Sequence, residues 1–154
     1  MNSQDELRLA QEALVAALVA GAPLPAGFDT VRVGAAARAL LRKRAGEVAR
    51  AWPSLEPSYG PAWPKIFTDW AAERPTRGSW LDGWDFARAH RESLTPDALV
   101  ELAVCEAGWA HRDEGEPRRR RGIGLRRFTG GLTVNVLGRI RVLSSHHTFA
   151  RRTR

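Results

Sequence analysis

Four histidines and one cysteine are the side chains best suited to bind a metal or move a proton, and neither set is spaced for it. No histidine pair stands four apart around a glutamate as a helical zinc site requires, and His146 and His147 are adjacent near the end, away from His90 and His111. Cys105 has no second cysteine, which excludes an internal disulfide or a site built on paired thiolates. It falls beside an apolar helical stripe, where a thiol behaves as a small hydrophobe. Glu106 and His111 are five residues apart and diverge by about 140° on an ideal helix, so they share no face on which His90 could join them. Gly122 and Gly124 precede a strand pattern instead of joining a strand to a helix, the context a phosphate-cradling loop needs. These residues predict no catalytic group, no cofactor and no metal, and therefore no enzyme.

The arginines are different. Arg118, Arg119, Arg120 and Arg121, followed by Arg126, Arg127, Arg139 and Arg141, form the one dense charge constellation. Guanidinium forks fit carboxylates and phosphates alike. The net charge of +7 is unevenly placed: residues 1–111 hold 12 basic and 14 acidic side chains, whereas residues 112–154 hold 12 arginines and 3 acids, or +9. A tail of this kind suits an acidic peptide, a phosphate backbone or nothing but water. The bias of 22 Arg to 2 Lys also matches a GC-rich coding sequence. If the segments after residue 122 pair as a hairpin, Arg139 and Arg141 point together, away from Ile140 and Val142, and the free strand edges offer pairing to an extended peptide.

Six tryptophans, at 52, 63, 70, 80, 84 and 109, lie at or near helical periods, which predicts core packing. Helices this short seldom cover every indole, so Trp63, Trp80 and Trp84 are the candidates for a docking surface.

The elements that must position these groups read as five helices and a hairpin. Ser3 and Glu6 have capping-box spacing, and Leu7, Leu14 and Leu18 recur on one face up to about Ala20, where Gly21, Pro23 and Pro25 end the helix. Asp29 caps a second helix whose stripe runs Val33, Ala37, Leu40, Leu41, Val48 and Trp52 to Pro53. A connection rich in Pro and Gly spans Leu55 to Pro61. A third helix then carries Trp63, Ile66, Phe67 and Trp70 before Pro75. Gly78 and Ser79 open a fourth, which Gly83 weakens by roughly 1 kcal/mol relative to Ala. Thr95 and Pro96 start a fifth, ending near His111. After the polar stretch from Asp113 to Pro117 the period changes to alternation, through Ile123 and Leu125, Leu132, Val134 and Val136, then Ile140 and Val142, with a bulge or kink expected at Gly138. Residues 144–154 have no pattern. The expected architecture is mainly α, an irregular bundle with a small C-terminal antiparallel β-hairpin, α+β overall: a helical domain at 1–112, a linker at 113–121 and a basic β module at 122–154. The apolar run Ala13–Ala20 follows Asp5 and Glu6 where a signal peptide would be basic, and it is too short to span a bilayer. With a single cysteine, this predicts a cytoplasmic protein.

The order of segments resembles a known family. Ala22 to Phe28, a long helix ending Trp52-Pro53, then Tyr59-Gly60, the aromatic helix from Trp63 to Trp70, the loop with Pro75, and Leu102-Ala103 ahead of Glu106 and Trp109 are similar to the helical family labelled a DNA-binding domain of Neisseria type. The likeness covers roughly residues 7–111, and Tyr59-Gly60 stands where the family has Leu-Gly. The resemblance implies a partner protein of a multinuclear non-haem iron oxidase that modifies ribosomally made peptides. The oxidase supplies metal and chemistry; the partner docks on it, helps present the precursor peptide through a small C-terminal β domain, and contributes no catalytic residue. The segment after residue 117 is shorter and more basic than that domain and resembles the C-terminal module of small actinobacterial proteins of unassigned role. The alternative function is nucleic-acid binding through the arginines, against which the −2 charge of residues 1–111 weighs.

Overall fold

Asp29 sets the first firm boundary: its carboxylate accepts the backbone N–H of Val31 at 2.9 Å and of Arg32 at 3.1 Å, satisfying donors that the first helical turn leaves unpaired. The helix it opens, α2 (Thr30–Ala51), closes with the Trp52 N–H on the Val48 carbonyl, just before the expected stop at Pro53. The computed structural model describes residues 3–20, 22–24, 26–112, 115–120, 122–128 and 130–144. The capping role expected of the Ser3 side chain, Gly21, Arg121, His146 and His147 lie outside what is described.

Among the described residues the fold is α+β, and two compact units divide it between Phe86 and Ala87. In the first, α1 (Ser3–Ala20) packs on α2, and α2 packs on α4 (Trp63–Ala71). The connection expected from Leu55 to Pro61 is more ordered than its Pro and Gly content suggests: Leu55–Tyr59 form the short helix α3, and Gly60–Ala62 add a 3-10 turn. Pro57 is tolerated because a first-turn position needs no intrahelical N–H partner, and buried Leu55 anchors the turn. The core of this unit is aromatic. Phe86, near the end of α5 (Ser79–Ala89), stands edge-on to Trp63 at 5.2 Å and to Trp70 at 5.3 Å, with Tyr59 and Phe67 within 5.7 Å.

Gly83 is not a weak point in α5 but a contact. A Cβ there would overlap the Trp52 indole, which lies across the helix and donates Nε1–H to the Trp80 carbonyl at 2.8 Å. Beside it Asp82, fully buried, accepts Arg44 Nε at 2.7 Å, the Thr76 hydroxyl at 2.7 Å and the Arg77 N–H at 2.9 Å. Arg44 also donates to the Arg74 carbonyl at 2.7 Å. One ion pair thus ties α2 to α5 and to the loop after α4.

In the second unit Thr95 caps α6 (Pro96–Gly108). This helix stops three residues short of the expected His111: Trp109–Ala110 are extended as β1 and pair antiparallel with β2, Arg118–Arg119, inside the stretch expected as linker. The expected hairpin gains a third strand, giving the antiparallel order β3 (Ile123–Phe128), β4 (Gly131–Val136), β5 (Arg139–Ser144). Gly138 makes no bulge. With Leu137 at φ 52° and Gly138 at φ 86°, the pair forms a two-residue turn whose positive φ values match the twist of a tight hairpin. Within the second unit α6 packs on the sheet.

Candidate interaction surfaces

The alternation in β4 selects faces in an unusual sense. Polar Thr133 and Asn135 are 0% and 1% exposed against α6, and aliphatic Leu132, Val134 and Val136 face away. For Asn135 the reason lies at the end of α6, whose last carbonyls need donors. Asn135 Nδ2 donates to Ala107 O at 3.0 Å, Arg120 N to Gly108 O at 2.8 Å, and Arg120 Nε to Glu106 O at 3.0 Å and Trp109 O at 3.1 Å. Gly124, paired with Asn135, lets the Ala107 carbonyl come so close that a Cβ would meet it at 2.6 Å. Aliphatic side chains here would leave that carbonyl buried and unpaired. Asn135 Oδ1 also accepts the Gly138 N–H at 3.0 Å, fixing the second turn.

This arrangement sorts the arginines. Arg120 is occupied as the cap of α6. Arg119 lies over the Trp109 ring at 5.2 Å, Arg118 is exposed beside it on β2, and Arg121 is outside the described residues. Arg126 pairs with Thr133 on the α6 side and donates to the Leu125 carbonyl at 2.7 Å. Arg127, Arg139 and Arg141 share the opposite, outer face, with Arg139 and Arg141 together as the alternation predicts. The register sets three rows across that face: Ile123, Val136, Arg139; Leu125, Val134, Arg141; Arg127, Leu132, Leu143. Ile123 is 75% exposed, Leu143 58%, Leu125 50% and Val136 45%. Alternation alone marks these residues as one face; that it is the uncovered face follows from Asn135 and Gly124, which only the pairing brings together.

The tryptophan surface needs correction. Trp63 and Trp84 are 1% and 0% exposed, so they are core side chains and present nothing to a partner. Trp63 is held by Phe86, and its Nε1–H reaches the Ala45 carbonyl at 3.3 Å. Trp80 is half-buried, its ring 5.2 Å from that of Trp84. Among the described residues, the exposed large apolar side chains of the first unit are instead Leu7, Leu9 and Val15 on α1, Phe28 ahead of α2, and Val31 and Leu40 on α2. A shallow cavity of about 450 Å³ opens on α2 over Ala45, Gly46 and Trp63, with Arg42, Arg50 and Glu56 at its rim.

The residues with catalytic chemistry have other partners. Both Glu106 carboxylate oxygens accept Arg91 Nη2 at 2.9 Å, and His111 Nδ1 contacts Arg88 Nη1. Burial, reinforced by Glu106 and Glu101, pushes the Cys105 thiol up to about 12, so it stays protonated. Among the described residues no three of His, Cys, Asp and Glu cluster as metal ligands, and no helix is long and apolar enough to cross a membrane.

Fold and surfaces together define an α+β protein whose second unit carries an arginine-edged aliphatic sheet face. The family model described as "SCO6045-like, C-terminal domain" matches residues 8–92, more than half of the chain, and the chain belongs to that family. A UPF0276 protein of Streptomyces avermitilis is 44% identical over 119 residues, which are 77% of this chain and 24% of that protein. The likeness to actinobacterial proteins is therefore established, and the family match lies on the helical segments. The chain spans about a quarter of that relative's length. No solved structure matches.

Proposed function

We propose that this chain is a non-catalytic cytoplasmic partner of an iron-dependent peptide-modifying oxidase, as the likeness to the Neisseria-type family implies. Its helices dock the enzyme and its C-terminal sheet helps to present the precursor peptide. The observation that carries this reading is the outer sheet face, where aliphatic side chains and Arg127, Arg139 and Arg141 stand exposed together. The exposed leucines and valines of α1 and α2 form the docking surface, in place of the buried Trp63 and Trp84. Support also comes from the Streptomyces relative, in which the matched segment is one part of a much longer chain.

Co-expression with an iron-dependent oxidase encoded beside this chain, together with its precursor peptide, tests the proposal. Co-elution of chain and oxidase is the expected result. Separate elution of the two under conditions where both are folded counts against it.

Exposed Arg118 and Arg119 favour a second reading, nucleic-acid binding. It requires affinity for duplex DNA that falls steeply between two salt concentrations. Absent or salt-insensitive binding removes it.

A further inference from the structure

The geometry points to a specific occupant for the outer face of the β3–β4–β5 sheet: an amphipathic α-helix with acidic side chains on both flanks of its apolar stripe, carried by the presented peptide. This rests on the partner reading above and specifies what that partner's peptide must look like.

Width is the first argument. Two strand spacings separate β3 from β5, about 10 Å, close to the diameter of one helix with its side chains. The sheet already carries one helix on its inner side, since α6 packs against all three strands. Layered folds cover a sheet's apolar face with helices, and here the aliphatic face is the one left open.

Charge is the second. Arg139 and Arg141 border the aliphatic rows along β5, and Arg127 stands at the opposite corner on β3, so positive charge flanks the apolar strip on both sides. From Arg118 to Ser144 the sequence contains no Asp or Glu, which leaves these guanidinium groups without a carboxylate in their own segment. A helix with acids on both flanks answers each border with a charge-assisted pair. Other occupants fit worse. A second copy of this face places like charges in apposition. Single-stranded nucleic acid stacks its bases on aromatic platforms, and the three rows hold none. The chain's own residues 145–154 carry Arg151, Arg152 and Arg154 and no acid.

The test uses the full chain and a synthetic helical peptide with a leucine stripe and glutamate flanks, followed by fluorescence anisotropy. The same peptide with lysine flanks and a single-stranded oligonucleotide are the comparisons. Binding of the glutamate peptide alone is expected. Leu125→Glu should weaken it by roughly ten-fold or more, the loss expected when a leucine-sized burial is replaced by a charge. The combined variant Arg127→Gln, Arg139→Gln, Arg141→Gln should weaken binding and flatten its salt dependence, and Lys65→Gln on α4 should change nothing. All of these positions are exposed, and circular dichroism with a melting curve verifies that each variant is folded. The inference is overturned by no binding, by equal binding of both peptides, by oligonucleotide binding that displaces the glutamate peptide, or by a dimer that Leu125→Glu turns into a monomer. Oxidase co-elution is measured separately. If it persists while the peptide fails to bind, the face assignment falls alone; if the peptide binds and co-elution fails, the oxidase reading falls.

Discussion

Asp82 and Gly83 carry more of the helical unit than their types suggest. Removing one partner of a buried ion pair strands the other charge, so Arg44→Ala or Asp82→Ala should cost about 3–5 kcal/mol in a denaturant titration. Gly83→Ala raises helix propensity by roughly 1 kcal/mol yet drives a methyl group into the Trp52 ring, and overpacking of that kind costs about 1–3 kcal/mol. A lower melting temperature for Gly83→Ala is the expected outcome; a higher one means the indole moves aside freely. Cys105 gives the pH dependence. Its folded value of about 12 lies above the reference 9.0, so the native state holds a proton that the unfolded chain releases. That contribution is complete below about pH 9 and is lost as pH rises toward 12, and the slope should be shallower in Cys105→Ala. None of this can be read from residue types alone. An Asp three residues into a helix looks solvated, and a glycine within one looks like a defect, until Arg44 arrives from α2 and Trp52 from its C-cap.

The helices themselves were legible because their ends are local. Asp29 and Thr95 act as caps where spacing predicts them, and the runs of three and four in α2 and α4 mark the faces that bury Val48, Trp52, Trp63 and Phe67. The end of α6 was not legible, since what stops it is distant: Arg120 and Asn135 take its last carbonyls, and Trp109 leaves for a strand. The inward turn of Asn135 has the same cause. Asn135→Leu offers more apolar surface but strands the Ala107 carbonyl, so it should destabilise the second unit by about 1–3 kcal/mol. Faster hydrogen exchange at the Gly138 amide, whose acceptor is Asn135 Oδ1, would mark the same loss locally. Unchanged stability would show that the carbonyl finds another donor.

At the scale of the whole molecule, charge and shape separate. The helical stretch is nearly neutral and exposes aliphatic residues on α1 and α2, whereas the sheet concentrates arginine around an open aliphatic face. The basic tail was visible from counting alone, but counting treats eight arginines as one group. Pairing divides them: Arg120 holds α6, Arg119 covers Trp109, Arg126 lies on the α6 side, and Arg127, Arg139 and Arg141 remain on the outer face. A partner role is tested most directly by mass spectrometry of a precursor peptide incubated with its iron-dependent oxidase, with and without this chain. Modification that depends on the chain and weakens with the Arg127, Arg139 and Arg141 variant is the predicted result. An equal rate of modification in its absence would contradict a partner role.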